Sequence, residues 1–296
     1  MKTKRVSVYE VVTQRMIDYI EQYQELPWMK PWATVESPQK NFVSMRPYNG
    51  INALLTGMSG FSSPFWMTFK QVKAKGGTVK KGAKATPVLY WSTFEKKVED
   101  EEDEEKLKKL GFHRMYFIFN AEQIEGIEFP EFELPKHDFN PIDEAERIIE
   151  NMPNRPVISR NGTAAYYTPM FDTVTVPKSE LFESPEDFYS TIFHELAHST
   201  GHPSRLNRFK EEGDNHQFGG QSYSREELVA EMSSAFILNT LGINTKKTDY
   251  NSAGYLKAWL RRLKDDPKMV VTAASKAGKA ANYIMNKEES HVVGDK

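Results

Sequence analysis

The sequence predicts an α+β protein built from two domains, and three observations carry that prediction. The chain has 296 residues, about twice the roughly 150 of an average domain. The second half reads as a helix, a small sheet and then several helices, an α+β plan. Charge is also unevenly spread. Residues 1–95 hold 13 Lys and Arg against 6 Asp and Glu, a net +7 that leaves −9 for the rest of a chain totalling −2. A basic module joined to an acidic one is the simplest plan, with polyanions the natural partners of the first. The Pro-containing stretch 128–141 reads as the linker, dividing domains 1–127 and 142–296.

Composition narrows the class. Hydrophobic residues make up 39% and charged residues 27%, an ordinary globular mix that excludes collagen-like and wholly disordered chains. The absence of cysteine excludes disulfide frameworks, Cys-zinc fingers and thiol catalysis. No apolar run approaches the roughly 20 residues that span a bilayer, so no membrane partner is expected. The charged start Met1–Glu10 lacks the apolar core of a signal peptide, and a cytoplasmic location follows as the expectation.

The elements follow in order. Ser7 and Glu10 form a capping box, and Val8, Val12, Met16 and Ile20 lay one apolar stripe along a helix running to about Glu25. Pro27 and Pro31 prevent its continuation. Thr68 and Gln71 form a second capping box, opening a short helix that Gly76-Gly77 stops. Residues 87–92 and 115–119 alternate as strands, separated by the acidic run 99–105, which reads as a solvated loop. Asn140-Pro141 opens a helix, with proline at its first position. Short strands near 157–159, 164–167 and 173–176 follow, then a helix from Ser184-Pro185 to about Gly201. Helical patterns at 224–241 and 251–263, and an Ala-rich one after Asp266-Pro267, complete the chain. The strand at Asp172–Pro177 is expected at a sheet edge, where an extended peptide can add.

The sharpest chemical signal is His194-Glu195-Leu196-Ala197-His198. Two His four residues apart share a helix face and can reach one Zn²⁺, and Glu195 beside them can deprotonate the water that the metal activates. A catalytic zinc takes three protein ligands, so a third is needed. The metzincin position, three residues after Gly201, is Ser204, which excludes that pattern. His202 lies about 12 Å along an unbroken helix from His194 and could reach the metal only if Gly201 broke the helix sharply, so a neighbour is the favoured reading and a ligand the alternative. The helix beginning near Ser224 offers Glu227 and, four residues on, Glu231. This matches the gluzincin habit of a Glu ligand followed by a carboxylate that orients a ligand His. Ser224 and Glu227 also spell a capping box; on that reading Glu231 becomes the ligand. Glu227 is the favoured third ligand, Glu231 its outer support, and Tyr223 a candidate donor to an oxyanion. The reaction class is amide hydrolysis, with Zn²⁺ as the metal and Mn²⁺ the alternative.

The basic half interleaves aromatic and cationic residues. Trp28, Lys30, Trp32, Arg46, Tyr48, Trp66, Lys70, Lys73, Lys80, Lys81 and Lys84 are the candidates for contact with single-stranded DNA, which needs flat rings for bases and cations for phosphates.

Several longer stretches carry a resemblance. Trp28–Trp32, Tyr48–Asn52, Pro64–Gln71, Gly76–Gly82 and Phe119–Gln123 resemble ArdC-type antirestriction proteins of conjugative plasmids, and a similar segment fronts plasmid TraC-type primases. Tyr167, Pro177, His194–His198, Ser199–His202, Arg205-Leu206, Arg208 and Glu226–Glu231 resemble the zincin-like metallopeptidase domain of the same family. The likeness spans nearly the whole chain in order, apart from the acidic insert near 99–105 and the last few residues. It implies an N-terminal single-stranded-DNA-binding domain, a C-terminal zincin-like, gluzincin-type metallopeptidase fold, and protection of incoming plasmid DNA from host restriction. On this chain it puts metal ligands at His194 and His198 and the catalytic acid/base at Glu195. Three readings follow: an antirestriction protein with a working peptidase, a DNA-dependent metalloprotease acting on a host restriction protein or another DNA-bound protein, and a strand-coating protein whose metal site is not catalytic.

Overall fold

The protein is described here by a computed structural model, which places residues 7–28, 39–99, 105–131, 141–161, 164–209, 221–243 and 253–287, the side chains of 91–99, 105–113, 141, 221–224 and 253 excepted. Lys30, Trp32, the side chain of Tyr223, most of the acidic run and most of the expected linker lie outside the described residues.

The chain opens with helix α1, Val8–Tyr23, whose capping box closes as expected: Ser7 Oγ accepts from Tyr9 N, and Glu10 accepts from Ser7 N at 2.8 Å. Its buried face carries Val12, Met16, Ile17 and Ile20. A four-stranded sheet follows in the order β1-β2-β5-β4, from Lys40–Asn41, Phe65–Thr68, Glu105–Asn120 and Thr86–Glu99. The short helix α2, Ile51–Gly57, flanks β4, with the Asn52 amide both donating to Leu89 O and accepting from Leu89 N at 2.7 Å. Thr68 and Gln71 cap helix α3, Phe69–Ala74, and Gly76 at φ +79° turns the chain after it. A small ribbon pairs β3, Thr78–Val79, with β6, Ile124–Glu125.

β4 and β5 form a longer hairpin than the sequence predicts. Pairing runs without a break from Thr86↔Ile118 to Glu99↔Glu105. The apolar alternation ends near Ser92, but the ladder continues because the N–H and C=O groups of each strand pair with those of the other; of the acidic run read as a loop, only Glu99 and Glu105 lie within the described residues.

The second half begins with helix α4, Pro141–Glu150, and a three-stranded sheet of order β7-β9-β8, from Val157–Ser159, Thr173–Thr175 and Tyr166–Thr168. β9 pairs β7 in parallel and β8 antiparallel. The segment expected at a sheet edge therefore supplies the middle strand, and an added peptide would have to meet β8 or β7. Helices α5, Pro185–Ser199, α6, Gln221–Thr240, α7, Ala253–Asp265, and α8, Met269–Ile284, complete the described fold. No helix among the described residues is long and apolar enough to cross a membrane.

One hydrophobic core runs across both halves. Val12, Met16 and Ile20 of α1, Trp28, and Ile51 and Leu54 of α2 pack with Leu228, Met232, Trp259, Val270 and Ala274. The approach of α2 to α8 depends on glycine. Gly50 has φ +55° and ψ −129°, a region that side chains rarely enter, and a Cβ there would lie 3.0 Å from Ala274 O. A second core, with Phe188, Ile192, Phe193 and Leu196 of α5 at its centre, lies between the β7-β9-β8 sheet and α6.

Candidate metal centre

The metal motif sits on a helix that local chemistry specifies closely. Ser184 Oγ accepts from Asp187 N at 3.2 Å, Pro185 occupies the first turn, and Glu186 and Asp187 face its positive end. Phe188, Ile192, Phe193 and Leu196 anchor the helix in the core, turning His194 and His198 toward α6. At the other end Gly201 lets the chain fold back tightly: a Cβ there would lie 2.4 Å from Cε1 of Phe209. Leu206 N donates to Thr200 O at 2.9 Å, closing the return.

Opposite, α6 packs directly against α5, helped by small residues; Ser234 Oγ donates to Ser190 O at 2.9 Å. The helix already runs from Gln221, so Ser224 lies inside it and the capping alternative for Glu227 has no place. Glu227 faces both histidines. Its carboxylate oxygens lie 3.5 Å from His194 Nε2 and 3.5 Å from His198 Nε2, and the two Nε2 atoms are 3.1 Å apart. The three donor atoms fall within 4.8 Å of one another, the group of the described residues that could hold a metal ion. Two imidazoles and one carboxylate are a donor set suited to Zn²⁺. Glu195 is largely buried and, among the described residues, has no hydrogen-bond partner.

The outer layer differs from the sequence expectation in one respect. The carboxylate behind His198 is Glu226, whose Oε1 lies 3.4 Å from His198 Nδ1. Arg208 holds Glu226 from the other side at 2.6 Å and donates to Ala197 O at 3.0 Å, tying the pair to α5. An Nδ1–H aimed at Glu226 leaves the Nε2 lone pair turned toward the centre. Burial by itself would lower the His198 pKa, but Glu226 and Glu227 beside it push it up to about 10. Glu227 moves the other way: burial opposes it, yet the two histidines hold its carboxyl well below the usual range.

Glu231 takes another place. Its carboxylate is buried, accepts from Trp28 Nε1 at 3.0 Å and also accepts from the Tyr255 hydroxyl. Burial pushes its pKa up, against the pull of Tyr255, Trp28 and the neighbouring His194. Four residues past Glu227, it lies one turn along the same helix, where the spacing predicts a carboxylate supporting the ligand group; its hydrogen-bond donors are Trp28 and Tyr255. His202 stays outside the donor group, with Nδ1 2.8 Å from Ser204 Oγ. Sequence reasoning missed the roles of Glu226 and Arg208. The signal for them was a second carboxylate next to Glu227, combined with an Arg after the helix break.

Near the motif helix, Arg205 fastens the loop to the sheet. It donates to Ser199 O at 2.7 Å, Asn154 O at 2.7 Å and Asp172 Oδ2 at 3.0 Å, and Tyr167 donates to Asp172 Oδ1 at 2.9 Å. Met170 and Phe171, in the turn between β8 and β9, are exposed.

The basic face needs two corrections. Trp28 and Trp66 are both fully buried, Trp66 with its Nε1 on Gln39 Oε1, so neither presents a ring to a base. The driving force is area: an indole buries more apolar surface than any other side chain and is drawn into the core first. Tyr48 is half-buried against Trp66. The candidate cations Arg46, Lys70, Lys73, Lys80, Lys81 and Lys84 are exposed. Lys80–Ala83 forms a tight turn, with Ala83 N donating to Lys80 O at 3.1 Å and Gly82 at φ +83°. The exposed rings of this half include Phe69 (52%) and Phe117 (56%), and the Lys73 ammonium lies 5.8 Å from the Phe69 ring centre.

Comparison with known proteins places both halves. Residues 6–119 match the family of the N-terminal domain of anti-restriction factor ArdC, and residues 143–276 match the zincin-like metallopeptidases. The chain is similar to the antirestriction ArdC protein from plasmid R388, at 31% identity, covering 96% of this chain and 100% of that one. The TM-score is 0.72 to its metal-free crystal structure and 0.70 to its Mn(II)-bound structure. It is also 31% identical to an Escherichia coli DNA primase TraC over 96% of its own length but only 27% of that protein, so it spans about a quarter of that relative. Protein y4eC of Sinorhizobium fredii is 30% identical, over 94% of this chain and 91% of that one.

Proposed function

Because the chain belongs to the ArdC family of antirestriction proteins, we propose that it binds single-stranded DNA through its N-terminal half and protects incoming conjugative plasmid DNA from restriction in the recipient cytoplasm. The observation that carries this reading is the likeness to ArdC of plasmid R388, which runs through both halves in order and covers all of that protein. The exposed cations on α3 and the Lys80–Ala83 turn, with Phe69 beside Lys73, support contact with an unpaired strand.

The zincin-like domain is the second part of the proposal. His194, His198 and Glu227 would hold the metal, Zn²⁺ or, as in the Mn(II)-bound relative, Mn²⁺. Once bound, a divalent ion supplies a Lewis acid that polarises a carbonyl and lowers the pKa of water. Glu195, with no competing partner among the described residues, takes the proton of the attacking water and returns it to the leaving amine. Glu226, backed by Arg208, keeps the His198 ring turned so that Nε2 faces the metal. An exposed strand edge beside α5 can align an extended peptide, and the substrate class is a protein bound to or acting on the DNA.

Glu195→Ala separates the readings. Conjugation into a restricting recipient should lose protection in this variant, with metal content and single-strand affinity unchanged. Full protection by Glu195→Ala would assign the activity to strand coating alone. Fluorescence anisotropy of the full chain with single-stranded and duplex oligonucleotides at several salt concentrations tests the DNA half; equal affinity for both would overturn it.

A further inference from the structure

We infer that Trp28, from the N-terminal half, is a positioning residue of the metal centre that acts through Glu231. The inference rests on reading His194, His198 and Glu227 as the metal ligands.

Glu231 lies one helical turn beyond Glu227 on α6, buried on the helix that carries the proposed carboxylate ligand. A buried carboxylate in that place has two courses: to turn into the ligand space, or to be held beside it. Both of its oxygens are engaged. Oε2 accepts from Trp28 Nε1 at 3.0 Å, and Oε1 accepts from Tyr255. The two donors approach from opposite parts of the chain, 203 residues before Glu231 and 24 after it. The clamp holds the carboxyl group in the outer layer of the centre, where it does not compete with Glu227 for the metal. Buried hydrogen bonds to a charged group are strong and directional, so the donors fix where the carboxylate points.

Trp28 is suited to this by packing. Its indole is fully buried and meets Trp259 edge-on, with centroids 5.6 Å apart. Trp259 supplies an internal control. It is equally large and buried in the same cluster, but among the described residues its own Nε1 has no acceptor. The two tryptophans thus share a packing role, and only one donates to Glu231. The metal-bearing region 143–276 consequently lacks a donor that the first half of the chain supplies.

The test uses the full-length protein and Mn²⁺ alone, titrated by electron paramagnetic resonance, with melting temperatures measured in parallel. Trp28→Phe should weaken Mn²⁺ binding about tenfold or more and alter the bound-ion spectrum. Trp259→Phe should lower the melting temperature comparably and leave the Mn²⁺ affinity within about twofold, the limit set for a packing effect. Tyr255→Phe, which removes the other donor while keeping the ring, should weaken Mn²⁺ as Trp28→Phe does, and serves as the test should Trp28→Phe fail to fold. Unchanged or tighter Mn²⁺ binding by folded Trp28→Phe, or by Tyr255→Phe where that variant serves as the test, overturns the inference, as does equal weakening by Trp259→Phe. A wild-type chain that binds no Mn²⁺ or Zn²⁺ would instead overturn the reading of the centre itself.

Discussion

The two halves of the molecule treat polar groups in opposite ways. Around α5 and α6 several buried charged side chains are matched: Arg208 with Glu226, Glu226 with His198, Glu231 with Trp28 and Tyr255, while Glu195 is left without a partner among the described residues. In the N-terminal sheet the cations stand in solvent, while two of the tryptophans that drew attention to this half are inside. Buried charge is costly unless its partners are fixed, so the metal half is specified by geometry, whereas the basic half keeps a surface that only a ligand would complete. A centre of the first kind should fail abruptly when one member is removed. A surface of the second kind should weaken by increments.

The largest expected effect tests the abrupt side. His194→Ala removes one of the three proposed ligands, roughly a third of the ~10–16 kcal/mol that hold a structural zinc, so metal content by mass spectrometry should fall to background. Glu195→Ala should retain metal in full. Equal metal content in the two variants would break the distinction between ligand and proton carrier. Arg208→Ala comes next, because it strands a buried Glu226. A stability loss of about 3 kcal/mol in urea unfolding is expected, and a loss below about 1 kcal/mol would mean that Glu226 gains another partner or takes up a proton without cost.

This contrast also explains what the sequence made legible. The capping boxes at Ser7 and Thr68 and the His194–His198 pair are local, with every participant within four residues, and all of them appear in the fold where their spacing put them. Glu226 was hidden because its role depends on Arg208, which reaches it only after the Gly201 fold-back. Trp28 was misplaced for a related reason: composition marks an aromatic residue as able to stack but does not say what covers it. Here the cover comes from residues 228–274, far along the chain. The hairpin 86–120 outran its apolar pattern because its ladder is made by backbone groups, which the pattern of side chains does not report.

An intermediate effect probes the seam between the halves. Gly50→Ala introduces a Cβ 3.0 Å from Ala274 O at a positive φ, and a loss of about 1–3 kcal/mol is expected. A variant as stable as the wild type would mean that the shared core yields easily and that the halves are only loosely joined. Smaller still is the incremental side of the contrast. Replacing Lys80 and Lys81 by Ala should leave folding unchanged and reduce the salt slope of single-strand binding by roughly 0.7 for each phosphate that is no longer neutralised. An unchanged slope would place the DNA elsewhere on the basic half.

The smallest effect lies at the rim of the metal half, where matched charge meets solvent. Burial alone would raise the Asp172 pKa, but Arg205 and Tyr167 hold it below its ordinary value of 3.8. A carboxylate depressed on folding contributes stability that is fully present above its unfolded pKa and is lost as pH falls through the lower folded value. The wild type should therefore lose this contribution below about pH 4, while Asp172→Asn should lack it at every pH and show a flatter acid limb in thermal unfolding. Asp172 is partly exposed, so water screens the pair and the difference at neutral pH should be about 0.5 kcal/mol. Parallel acid limbs in the two proteins would show that Arg205 is held by its bonds to Ser199 and Asn154 alone.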